Sequence, residues 1–357
     1  MSHATPNQNA APERMQQAVM TSPGVIAFRE VPVPAMGKGQ LRVKIQRIGV
    51  CGSDIHVFHG KHPYTSYPVV QGHEVSATVE AMGPEVQGFQ VGDRVTIMPQ
   101  VVCGTCYPCR TGRYHICDEL KVMGFQTTGT ASERFVVDAD KCLVFPAHMS
   151  FDEGAMIEPL AVAVHAVSRL DGGVAGKQLV VYGAGPIGNL VAQTALGLGA
   201  AKVLVTDMSE HRLQLARDCG IANAVNPKAE DLGAAIVRCF GPDKADAALE
   251  CVGVQATMDQ AIANARKGSD IVVVGVFGDR PLVDLGLVQD RELRLIGTLM
   301  YTQKDYEQAI ALIQGRRVQL APLMSAHYPF GQYLAAYQFI EANRDQSMKV
   351  FIDFDQA

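Results

Sequence analysis

From Leu179 to Ala201 the chain carries no charge, and within that run stands Gly183-Ala-Gly185-Pro186-Ile187-Gly188. A charge-free stretch of this length either crosses a membrane or is buried in a core. Five glycines and a proline interrupt it, and it divides into a β-rich start, LVVYG, and a helical remainder. A strand–turn–helix unit fits that division better than a membrane span. G-x-G-x-x-G alone is a weak signal. Here it follows an apolar strand, opens a helix, and has Asp207 at the end of the next strand, KVLVTD. In that context it marks a dinucleotide site. Gly183 permits the tight turn, Gly185 lets a pyrophosphate approach, and Gly188 lets helix pack on strand. Pro186 and Ile187 belong to the same turn, and the helix N-terminus supplies N–H donors for phosphates. Asp207 would accept hydrogen bonds from ribose hydroxyls and repel a 2′-phosphate, which favours NAD over NADP. Arg212 lies close by in sequence and weighs the other way. The plain alternative is a glycine-rich turn with no ligand, which the strand and helix on either side argue against.

The same alternation continues along the chain. Strands are expected at QLVVYGA, KVLVTD, ADAALECVG, SDIVVVGVFG and ELRLIGTLM, with helices between them. Short apolar strands separated by helices mean a parallel, doubly wound sheet. Before about residue 155 the character differs. LRVKIQRIGV (41–50), EVSATVEAMG (74–83), DRVTIMPQV (93–101) and ASERFVVDA (131–139) read as strands between glycine-marked turns. After Tyr301 come two helices, DYEQAIALIQG and GQYLAAYQFIEANR, then a strand, MKVFIDF. A chain of 357 residues accommodates about two domains. The opening residues, MSHATPNQNAAPER, read as a flexible tail without a signal-peptide core.

Hydrophobic residues make up 48% of the chain, enough for sizeable cores. The net charge of −5 and the lack of a basic tract argue against a nucleic-acid partner. Nine cysteines without a signal peptide argue against a secreted disulfide framework and for a cytoplasmic protein. Clustered cysteines are then metal ligands. Cys103, Cys106, Cys109 and Cys117, spaced two, two and seven residues apart, can close a tetrahedral Zn²⁺ site. All four positions are protein-filled, so that zinc is structural; two disulfides or free thiols are the alternative. Cys142, Cys219, Cys239 and Cys251 read as packed thiols.

A second constellation is diffuse: Cys51-Gly-Ser53-Asp-Ile-His56, Gly72-His73-Glu74, and Glu158 within MIEPLAVAVHA. Catalytic zinc takes about three protein ligands and leaves one position open. Cys51 and His73 are good donors, and Glu74 or Glu158 could supply an oxygen. Glu158 precedes Pro159, which biases it away from the helical region and toward the entrance of a helix. The alternative is a charge favoured by the helix dipole, beside an ordinary buried cysteine and a structural histidine.

CGSDIHVFHG, GHEVSATVEAMGPEV, VGDRV, the cysteine cluster, EPLAVAVHA and GAGPIG stand in the order found in zinc-dependent medium-chain alcohol and polyol dehydrogenases. The chain resembles that family from about residue 16 to its C-terminus, and most resembles the sorbitol and threonine dehydrogenase branch. The resemblance implies an α/β fold: a GroES-like β-barrel catalytic domain (14–155 and 300–357, after a 1–13 tail) with an inserted Rossmann domain (156–299). It implies NAD and two Zn²⁺ per subunit, one catalytic and one structural. The catalytic zinc would be held by Cys51, His73 and a carboxylate, with Glu158 slightly favoured over Glu74 and exchange between the two expected. Family members are dimers or tetramers, so a homotetramer or homodimer is expected, with a small-molecule alcohol as substrate and no membrane.

The chemistry so implied is oxidation of a secondary alcohol by hydride transfer to nicotinamide, with zinc acidifying the alcohol. Ser53 and His56 match a proton relay, and water held by Glu158 is an alternative route. His59, His62, Tyr64, Tyr67, Phe125 and Arg294 are candidates for the cleft wall. The loop HGKHPYTSYP is shorter than in many sorbitol dehydrogenases. The implied substrate is a polyol, sugar alcohol or hydroxy acid such as a sugar acid. L-threonine 3-dehydrogenase or a 2,3-butanediol-type activity is the runner-up, and a non-catalytic NAD-binding protein the alternative of another class.

Overall fold

The computed structural model describes residues 13–354, so the expected tail falls almost wholly outside the described residues. Two large sheets organise them. One has six parallel strands in the spatial order Asn223–Val225, Lys202–Thr206, Gln178–Tyr182, Ala247–Glu250, Asp270–Val273 and Arg294–Gly297. This is chain order 3-2-1-4-5-6, the dinucleotide-binding arrangement. The strand Asn223–Val225 escapes a sequence reading because it is three residues long and begins on a polar side chain.

The second sheet has seven strands. Along its main path run Met324–Pro329, Lys349–Asp353, Gln40–Val50, Glu74–Met82, Arg94–Ile97 and Cys142–Val144, while Arg134–Asp138 pairs with Gln40–Val50. Only Met324–Pro329 and Lys349–Asp353 run parallel to each other. The C-terminal strand therefore returns to the sheet begun near residue 40. The strand expected at 93–101 is broken into Arg94–Ile97 and Gln100–Val101. Pro99 lies at the break, where it has no N–H for a ladder, and Met98 N–H turns to the Lys141 carbonyl at 2.7 Å.

The helix Ile157–Ser168 joins the two sheets. Ten of its twelve residues are buried, in a core that takes Leu179, Val181 and Leu249 from the parallel sheet and Phe145 and Phe351 from the other side. Glu158 is the second residue of this helix, already helical despite the proline after it. The N–H that Pro159 lacks is one that a first helical turn leaves without a partner. Among the described residues no helix is long and apolar enough to cross a membrane.

Phe351 is fully buried and lies opposite Gly49 in the ladder. Phe351→Ala is expected to cost about 3–5 kcal/mol, read as a lower urea midpoint at unchanged slope.

Candidate active site

Three strands meet at their ends to build the first part of the site. The ladder between Gln40–Val50 and Glu74–Met82 pairs Gly49 with Glu74, and the ladder to the C-terminal strand pairs Val50 with Val350. Cys51 follows the first strand, Glu74 begins the second and Lys349 begins the third. A Cβ at position 49 would lie 2.3 Å from Glu74 Oε2 and would push that carboxylate aside. One ligand atom each from Cys51, His73 and Glu74 lies within 4.8 Å of the others. Glu74 Oε1 and Oε2 each accept from Lys349 Nζ at 2.6 Å, with all four groups buried or half-buried.

His73 is backed by a carboxylate. Asp54 Oδ1 lies 3.6 Å from His73 Nδ1, accepts from Gln71 Nε2 at 3.0 Å, and Gln71 Oε1 accepts from Tyr337 O–H at 3.0 Å. Asp54 Oδ2 accepts from Cys51 N–H at 2.9 Å. A carboxylate behind an imidazole orients the ring and raises its basicity, the usual support for a metal-ligating histidine. Burial works against a charge on His73, yet the Asp54, Cys51 and Glu158 charges raise it well above its ordinary value. His73 Nδ1 is buried with no hydrogen-bond partner. A soft sulfur, an imidazole and a carboxylate around one point fit Zn²⁺.

Glu158 stands beside this set. Its Oε1 accepts a short hydrogen bond from Tyr301 O–H. Tyr301 is fully buried, and its carbonyl accepts from Gln100 Nε2 at 2.8 Å. Burial pushes Glu158 up to about 7, with the Glu74 charge adding to it and His73 opposing it. Thus Glu74 shares the cluster with Cys51 and His73, while Glu158 is poised next to it on a phenol. Asp54, Tyr301 and Lys349 went unnoticed in the sequence. Asp54 lies inside the quoted CGSDIH motif, and the acidic residue three positions after Cys51 was the available signal.

The four-cysteine loop is also assembled. Cys103 and Cys117 sulfurs are 3.5 Å apart and Cys106 and Cys117 sulfurs 3.8 Å, too far for disulfides. All nine cysteines are free. Backbone N–H groups of Thr105 and Cys106 bring Cys103 down to about 6. Lost hydration and thiol neighbours push Cys109 up to about 12. Cys103 and Cys109 are thus displaced in opposite directions, and a bound cation such as Zn²⁺ would require both as thiolates.

At the glycine turn, Gly183 has φ 98° and Gly185 caps the helix Pro186–Gly197. A Cβ on Gly188 would lie 2.0 Å from the Gly183 carbonyl oxygen, whereas one on Gly185 would meet open space. Gly188 thus leaves no room for a side chain where the helix meets the strand, and Gly185 faces open space. Asp207 Oδ2 accepts from Ala184 N–H at 2.8 Å and Oδ1 from Ser209 N–H at 2.9 Å. Arg212 lies 4.0 Å from Asp207 and donates to the Arg344 carbonyl.

Among the remaining candidates, Ser53 Oγ lies 3.4 Å from Cys51 Sγ, and His56 is exposed on the same short helix, Gly52–Phe58. His62 stacks on Phe125 at 4.7 Å, and Phe125 in turn packs on His73 at 5.0 Å. His59 pairs with Glu341, Tyr67 O–H bonds the Val57 carbonyl, and Tyr64 is exposed. Arg294 is not a cleft residue. It begins the edge strand Arg294–Gly297, at the end of the sheet opposite the dinucleotide turn, and pairs with Asp270 at 2.6 Å and Asp171 at 2.8 Å.

The raised Glu158 yields a signed stability prediction for chelator-stripped protein. A folded value near 7 against 4.5 means its contribution is whole below about 4.5 and lost as pH rises through 7. Glu158→Gln keeps an acceptor for Tyr301 and is expected to match the parent at low pH. By about pH 8 it should be the more stable, by on the order of 3 kcal/mol in urea unfolding.

Residues 37–147 match the alcohol dehydrogenase GroES-like domain, and residues 186–315 match the zinc-binding dehydrogenase domain. The chain is 35% identical to 2-dehydro-3-deoxy-L-galactonate 5-dehydrogenase of Pseudoalteromonas atlantica, over 88% of this chain and 92% of that one. It is 32% identical to sorbitol dehydrogenase 1 of Saccharomyces cerevisiae, over 97% and 99%. The crystal structure of galactitol-1-phosphate dehydrogenase from Escherichia coli superposes with a TM-score of 0.88 at 29% identity, over 95% of this chain and 100% of that one. A GroES-like sheet, a dinucleotide sheet and these full-length relatives together establish that the chain belongs to the zinc-dependent medium-chain dehydrogenase family, in its sorbitol/threonine dehydrogenase-like branch.

Proposed function

We propose that the protein oxidises a secondary alcohol of a small polyol, sugar alcohol or sugar acid to the ketone, with NAD as hydride acceptor and zinc at Cys51 and His73. The observation that carries this reading is the Tyr301–Glu158 hydrogen bond. Tyr301 follows the C-terminal end of the last parallel strand, Arg294–Gly297, the side of such a sheet where dinucleotides bind. Its hydroxyl reaches the carboxylate next to the cysteine–histidine cluster. Both half-sites therefore face one cleft, between a catalytic unit of 14–155 with 300–357 and a dinucleotide unit of 156–299. Names of the relatives, which include sugar-acid and polyol dehydrogenases, support the substrate class. A threonine or vicinal-diol activity of the same site is the second reading, because L-threonine 3-dehydrogenases are also among the relatives.

Cys51, His73 and a carboxylate, Glu74 or Glu158, would hold zinc, and Cys103, Cys106, Cys109 and Cys117 a second, structural ion. Zinc at the first site supplies a Lewis acid that eases proton loss from an alcohol near neutral pH. The chain's own residues do the rest. Asp54 orients His73, and Tyr301 holds Glu158 in place. Ser53, against Cys51, receives the hydroxyl proton, and His56 on the exposed side of the helix passes it to water. Glu158, near neutrality in its titration, provides the other route. Gly183, Gly185, Pro186, Ile187 and Gly188 cradle the pyrophosphate, and Asp207 with Arg212 frames the ribose. Asp207 selects NAD, since its carboxylate is fixed by two backbone N–H groups and cannot swing away from a 2′-phosphate. Exposed Val276, Leu282, Leu285 and Leu295 lie on and before the edge strand and support self-association, as homodimer or homotetramer, of a cytoplasmic enzyme.

The test is initial-rate reduction of NAD⁺ and NADP⁺ across C4–C6 polyols, sugar acids, threonine and 2,3-butanediol, with a chelator control. A chelator-sensitive, NAD-preferring rate in one stereochemical series is expected; no rate from zinc-loaded, NADH-binding protein would contradict the reading. Cys51→Ala should abolish turnover and still bind NADH, which a non-catalytic NAD-binding protein would not distinguish from the parent. Asp207→Ser should move the NADP⁺/NAD⁺ ratio of kcat/KM upward by roughly tenfold or more, about 1.4 kcal/mol.

A further inference from the structure

Lys349 is 3% exposed, and its ammonium is spent on a single carboxylate: both Glu74 oxygens accept from Nζ at 2.6 Å, with the Val50 carbonyl at 3.5 Å. A lysine this deep needs a compensating charge. The compensating charge here is a residue that also shares a metal-sized cluster with Cys51 and His73. The charges of Cys51 and Glu158 act on the same ammonium. Lys349 cannot itself ligate a metal, and it places a positive charge beside the point where a dication would sit.

We propose that Lys349 is a built-in competitor for the catalytic metal: it holds Glu74 off the ion, keeps a ligand position open, and sets how tightly the site retains zinc. This rests on the reading that Cys51 and His73 bind zinc. With Glu74 on Lys349, the ion keeps Cys51, His73 and a position for Glu158 or water. With Lys349 withdrawn, Glu74 becomes a full anionic ligand. Lys349 is thus a positioning residue, and the two arrangements are the ligand exchange between Glu74 and Glu158 given a physical driver.

A merely structural lysine and a competitor predict opposite signs. If Lys349 only braces the strand ends, removing it loosens the site and zinc leaves faster. If it competes for Glu74, removing it strengthens the ligand set and zinc leaves more slowly. The experiment is zinc release from the full-length, zinc-loaded protein to an excess of a chromogenic chelator. Two release phases are expected, and the one missing in Cys51→Ser belongs to this site. In Lys349→Met that phase should slow by roughly tenfold or more, and in Lys349→Arg it should stay near the parent rate. Should Lys349→Met not fold, Lys349→Gln takes its place: a neutral amide that leaves Glu74 free as an anionic ligand should slow the same phase in the same direction. An unchanged or faster Cys51 phase in Lys349→Met, or in Lys349→Gln where that variant stands in, overturns the proposal and leaves the zinc site standing. Both phases intact in Cys51→Ser would instead remove the zinc site itself, and the proposal with it.

Discussion

The structure turns on a concentration of buried charge where three strand ends meet. Cys51, Asp54, Glu74 and Glu158 bring potential negative charge into one volume, against which the described residues set His73 and Lys349. Burial of unpaired carboxylates is costly, and groups so placed give up their charge instead. The upward displacement of Glu158 is that effect. A dication at Cys51 and His73 would reverse it.

That concentration exists only because the chain returns on itself. The C-terminal strand inserts beside Gln40–Val50 and carries Lys349 to Glu74, 275 residues away in sequence. The segment after the last parallel strand carries Tyr301 to Glu158, 143 residues away. Tyr306 O–H reaches the Ile97 carbonyl at 3.2 Å, and Tyr114 accepts from the Gln303 N–H at 2.6 Å. The four-cysteine loop and the segment that bears Tyr301 are thereby tied together, so a metal in that loop would steady the residues around Tyr301. Packing follows the same logic: one core runs unbroken from the parallel sheet through Ile157–Ser168 to Phe351.

What could be read in the sequence was what is local. The glycine turn, Asp207 and the cysteine spacing each lie within a short window, and the structure places them as the spacing implies. The alternation of strands and helices gave the parallel sheet, save for the short strand Asn223–Val225. The rivalry of Glu74 and Glu158 was visible but undecidable, because it depends on Lys349 and Tyr301, whose proximity is a matter of strand register. Glu158 stands in the first turn of its helix, at the entrance expected for it, although the bias of a residue before proline against helical backbone yields there. Arg294 looked available for a substrate, and it is instead consumed by Asp270 and Asp171 at the far end of its strand.

The most direct measurement is a crystal structure of the zinc-loaded protein, with anomalous scattering recorded on both sides of the zinc absorption edge. The account predicts two zinc peaks per chain, one among Cys103, Cys106, Cys109 and Cys117, the other bonded to Cys51 and His73 with a carboxylate completing the set. A loaded crystal with zinc at the four cysteines and none at Cys51 and His73 would contradict it.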